Sequence, residues 1–114
     1  MSDPFTAESG YAQALDLNRA AFAAGHYEAA YHFLMAALHC AEDARDRAKL
    51  AEISRRCGEQ LRAIDATAPR HRLSTQSAQS RGHRSIFEMG VTMADAAAQR
   101  LGVPGRPPGA PTAD

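Results

Sequence analysis

The chain has no tryptophan, one lysine against twelve arginines, and only two cysteines in 114 residues. It also has little of what makes sheet: three Ile and two Val, against 25 Ala among 51 apolar residues. Alanine is the strongest helix former, and β-branched residues are the ones that fit pleated surfaces, so a sheet protein is excluded and an all-α domain is left. No apolar run reaches the ~18 residues that a membrane span needs. The start, Met1-Ser2-Asp3-Pro4, carries neither a basic region nor an apolar stretch, so it is not read as a secretory signal. Cys40 and Cys57 form no Cys-x-x-Cys pair and no disulfide framework, which suits a reducing, cytoplasmic setting. The bias toward Ala and Arg is that of a GC-rich bacterial genome.

Net charge is also missing. Thirteen basic and thirteen acidic side chains cancel, so the whole chain is neither a strongly basic nucleic-acid binder nor an acidic tail. The balance is uneven along the sequence. Residues 1–54 carry four basic and eight acidic side chains, and residues 55–114 carry nine and five. The halves can attract each other within a chain or between two copies, at close range only.

Four helices are expected. Asp3-Pro4 is a start signal, but Gly10 interrupts it, so the first firm helix is placed from Tyr11 to Ala24, ended by Gly25. The second runs from Tyr27 to Glu42, with Tyr27, Ala30, Tyr31, Leu34, Ala37, Leu38 and Ala41 on one face. The two-residue link Gly25-His26 forces antiparallel neighbours. The third spans Asp46 to Thr67, with a narrow stripe of Leu50, Ile53, Cys57, Leu61 and Ile64. Residues 68–84 read as a basic Ser/Gln/Arg linker. Ser85-Ile86-Phe87-Glu88 has the capping-box form and opens the fourth helix, residues 85–102, with Ile86 or Phe87, Gly90, Met93, Ala94, Ala97 and Leu101 inward. Residues 103–114 hold four of the six prolines and read as a disordered tail.

Ala14, Leu17, Asn18 and Ala21 share their spacing with Leu50, Ile53, Ser54 and Cys57, offset by 36 residues. Together with Gly25, Tyr27, Ala30, Leu34, Ala37 and Leu38, this pattern resembles a tetratricopeptide (TPR) repeat. The resemblance covers about residues 11–60, one and a half repeats. Glu42-Asp43 stands where many repeats have proline, and Ala14 stands where a large aromatic is common. The resemblance implies an antiparallel TPR-like hairpin within a helical domain over residues 1–67. It also implies a groove built by the first helix of each repeat, carrying Leu15, Arg19 and Phe22, joined by Arg55, to hold a partner helix or acidic peptide. Leu15, Arg19 and Phe22 share one helix face at i, i+4, i+7 whichever fold holds. One and a half repeats leave apolar surface that another element, a second copy or another protein must cover.

Chemistry finds few candidates. There is no Gly-rich phosphate loop, no Gly-x-Ser-x-Gly and no clustered carboxylate set, so no enzyme and no cofactor is expected. His32 and His39 lie two turns apart, about 10 Å along a helix axis, too far for one metal ion. Cys57, on an apolar stripe, reads as inert. Arg70, Arg72, Arg81 and Arg84 form the one basic stretch and could grip the phosphates of a polyanion. Without interleaved aromatics, nucleic acid has no stacking platform there. The reading is a non-catalytic interaction module, a small adaptor or scaffold for a protein partner or a second copy. Its alternative is a polyanion-binding regulator using residues 70–84.

Overall fold

The computed structural model describes residues 5–102, and every regular element among them is an α-helix. In chain order these are α1 (Ala7–Ala23), α2 (Tyr27–Asp43), α3 (Arg47–Thr67), α4 (Thr75–Ser80) and α5 (Ile86–Arg100). The all-α expectation is met. The tail expected at 103–114 lies outside the described residues.

The boundaries follow local chemistry. Helix α1 starts four residues before Tyr11 because Thr6 and Ser9 cap it reciprocally: the Ser9 N–H donates to Thr6 Oγ1 (3.0 Å) and the Thr6 N–H to Ser9 Oγ (2.9 Å). Gly10 does not break the helix. A Cβ there would sit 2.9 Å from Cys40 Sγ, so the missing side chain lets α1 close on α2. At Gly25 (φ 81°) the chain turns back, its N–H bonded to Phe22 O and the next N–H to Ala21 O, which satisfies the last carbonyls of α1. The end of α2 repeats this pattern at Arg45 (φ 52°), a left-handed position that usually takes glycine. Asp46 then caps α3 by accepting from the Lys49 N–H at 3.1 Å.

Two helix pairs result. Helix α1 lies along α2, α5 lies along α3, and α2 bridges the pairs by touching both α3 and α5. Helix α2 is accordingly the most enclosed, burying Ala30, Leu34, Met35, Ala37, Leu38 and Ala41. Its alanines let neighbours approach closely, and Leu34 and Leu38 fill the space between them. The repeat offset of 36 residues separates two environments. Ile53 is fully buried, whereas its counterpart Leu17 is 50% exposed, because α3 packs against both α2 and α5, while α1 packs along α2 and meets α3 at few points, such as Tyr11 and Asn18.

The expected linker contains structure. Helix α4 lies within 68–84, and the segment is pinned along its length. Asp65 accepts from the Thr75 N–H (2.8 Å) and hydroxyl (2.7 Å), Ser74 donates to Pro69 O (2.6 Å), and Leu73 is buried. His71 meets the Tyr27 ring edge-on at 4.9 Å, and Arg72 pairs with Glu28 at 2.6 Å. Ser85 closes the segment by donating to Leu73 O (2.6 Å) while capping α5. Its partner in the expected capping box, Glu88, turns instead to Arg84 at 3.6 Å.

Candidate functional site

The residues of the sequence-derived groove do not form one open face. Leu15 is 6% exposed and belongs to the core, with nothing to offer a partner. Phe22 is half-buried, its ring 4.9 Å from Tyr27, which in turn packs on His71; the returning segment 68–74 reaches the first turn of α2 and leaves the α1–α2 turn exposed. Arg19 and Arg55 are exposed, but Arg19 pairs with Asp16 (3.0 Å), and Arg55 with Glu52 and Glu59. The contact with α3 is made instead by Asn18, fully buried. Its amide N–H groups donate to Ala30 O (2.8 Å) and Gln60 Oε1 (3.1 Å), and its oxygen accepts from Gln60 Nε2 (2.8 Å). This polar clamp leaves no orphaned group, which is what a buried amide requires.

Open apolar surface lies on the outer side of α5. Its inward face is Phe87, Gly90, Ala94 and Ala97. Met93, expected inward, is 42% exposed, and Met89, one turn before it, is 47% exposed. Ile86, Met89, Met93, Ala96 and Arg100 follow one another at steps of three, four, three and four, the spacing of a helix seam. A hollow of about 310 Å³ flanks each end. The first is lined by Arg72, Leu73, Ala78, Arg81, His83, Arg84, Ser85, Ile86 and Met89. The second is lined by Leu38, His39, Glu42, Thr92, Met93, Ala96 and Arg100.

The basic stretch of the sequence therefore becomes a place. Arg72, Arg81 and Arg84 converge on the first hollow; Arg70 is exposed and lies outside its lining. Arg81 is held over it by donating to Ser77 Oγ and Arg72 O, each at 2.9 Å. Arg84 is steadied by Thr92 Oγ1 (3.2 Å). The sequence marks the arginines but not the seam, because the inward periodicity of α5 also takes in Met93. The exposed seam was nevertheless visible as a second 3–4 spacing running beside the inward one.

Neither cysteine lines the two hollows. Burial, aided by the Asp95 charge, pushes the Cys57 thiol up to about 12, and burial followed by Asp43 raises that of Cys40, so neither is an activated thiolate. Among the described residues no three His, Cys, Asp or Glu side chains gather as metal ligands, and His32 and His39 are both exposed. No described helix is long and apolar enough to cross a membrane. No family model, curated protein or solved structure matches the chain.

Proposed function

We propose that the protein is a non-catalytic interaction module, a small adaptor or scaffold of a reducing bacterial cytoplasm, that binds a partner helix along the outer face of α5. The observation that carries this is the exposed Met89/Met93 seam with a hollow at each end. An unbranched thioether adapts to different partner side chains, and methionine is over-used on surfaces that accept helices. A helix laid on such a seam is read through anchors at i, i+3, i+4 and i+7, and two hollows of this size each accept an anchoring side chain. The α1–α2 hairpin, read as TPR-like, then serves as the platform on which α3 and α5 are mounted.

A fluorescein-labelled amphipathic 18-residue peptide with leucines at heptad spacing tests this by anisotropy titration. Wild type binds it, and the Met89→Ser/Met93→Ser variant, with unchanged circular dichroism, binds at least tenfold more weakly. Equal binding by the variant removes α5 as the docking face.

A further inference from the structure

We infer that the occupant of the α5 face is an acidic amphipathic helix, whose carboxylates are held at the first hollow by Arg72, Arg81 and Arg84. This rests on α5 being the docking face. Around that hollow the charged and titratable groups are three guanidiniums and His83, against two nearby carboxylates: Glu28, which pairs with Arg72 at 2.6 Å, and Glu88, which pairs with Arg84 at 3.6 Å. The two bonds that orient Arg81 go to neutral oxygens, Ser77 Oγ and Arg72 O. A guanidinium has five N–H donors, so Arg81 keeps others for an incoming carboxylate, and its planar fork matches that group. Below the rim, Leu73, Ala78 and Met89 give an apolar floor. Charge above and apolar surface below describe one flank of an amphipathic helix rather than a free ion.

The other end of the seam is balanced, so the excess of basic groups sits at the first hollow. Arg100 pairs with Glu42 at 3.4 Å, and His39 stands beside them. A second copy laid on α5 brings no free carboxylate to Arg81, because Glu88 is taken by Arg84 and Glu42 by Arg100. No Phe, Tyr or Trp lines the first hollow, so single-stranded nucleic acid lacks its usual stacking platform there. An acidic partner helix satisfies the arginine rim of the first hollow and the apolar surface beneath it.

The test uses two versions of the labelled peptide, one with glutamates flanking the leucine seam and one with lysines. At low salt the glutamate peptide binds wild type at least tenfold more tightly than the lysine peptide, and the ratio falls as salt rises. Arg81→Ser/Arg84→Ser erases the ratio. Because Arg81 also holds the loop, Arg84→Gln is measured beside it; its bonds reach only the side chains of Glu88 and Thr92. Equal binding of both peptides by wild type, lost in the methionine variant, overturns the acidic preference and leaves the docking face standing. No binding of either peptide overturns both. A single-stranded oligonucleotide that displaces the glutamate peptide, or a stable dimer by light scattering, overturns the inference in favour of a polyanion or of a second copy.

Discussion

Asp46 shows how much one side chain does at this scale. It ends the turn that follows the left-handed Arg45 and caps α3, accepting from the Lys49 N–H and, at 3.2 Å, from the Lys49 ammonium. The bond from the Lys49 N–H, then that from the Lys49 side chain, hold its carboxyl below the ordinary carboxylate value. A carboxyl lowered on folding adds stability that is present above its unfolded value, about 3.9, and is lost as pH falls through the folded value. Asp46→Ala is therefore expected to cost about 1 kcal/mol at pH 7, the usual loss for a removed cap. In urea titrations the gap to wild type narrows once the pH falls below ~4. Asp46→Asn keeps a capping oxygen without a titrating charge, so its stability stays near wild type at pH 7 and lacks that acid dependence. A gap that is the same at pH 7 and pH 3 refutes the assignment.

At the scale of elements, α5 meets α3 through Gly90. A Cβ there would lie 2.8 Å from Cys57 Sγ, 3.3 Å from Met35 Cε and 3.4 Å from Tyr31 Cε1. Replacing glycine with alanine inside a helix normally gains about 1 kcal/mol. Here overpacking, at about 1–3 kcal/mol, outweighs it. Gly90→Ala is expected to lower stability by about 1 kcal/mol net, and adding Cys57→Ala to make the pair more stable than the two single changes summed. Additive changes in the urea midpoint would show that the helices can shift apart freely. Gly90 and Cys57 each lie on an apolar face that periodicity identifies, but nothing in the sequence says that the two faces meet. The same limit explains α4. Helices α2 and α3 were legible to within a residue or two because large apolar residues mark their faces; α4 buries only Ala78 and depends on Asp65, ten residues before Thr75. Bonds over that distance leave no periodic trace. The expected start of α1 is late for a different reason: glycine at position 10 reads as a breaker in sequence, and its role as a close-approach position depends on a distant neighbour, Cys40. The candidate site is half legible: its arginines stand out by composition, whereas the 3–4 spacing of its methionine seam competes with the inward spacing, which also takes in Met93.

Across the whole molecule, the two pairs α1/α2 and α3/α5 share one bridging helix, so the attachment of α5 governs how cooperatively α3 is held. Most of α5's buried side chains are small; Phe87 is the exception, fully buried with its ring edge-on to Tyr31 at 5.7 Å. Phe87→Ala is expected to cost about 3–5 kcal/mol. A domain of this size has about 5–15 kcal/mol in all, so the loss takes a large share of it. Its distribution is the more telling measurement. Helix α3 contacts α5 more extensively than it contacts α2, so hydrogen exchange should show α3 losing protection together with α5, while α1 and α2, paired along their whole length, lose less. Phe87→Leu, which keeps most of the volume, should leave that pattern near wild type. If α5 opens alone in Phe87→Ala and α3 keeps its protection, α2 suffices to hold α3, and α5 is an appendage rather than half of a cooperative pair.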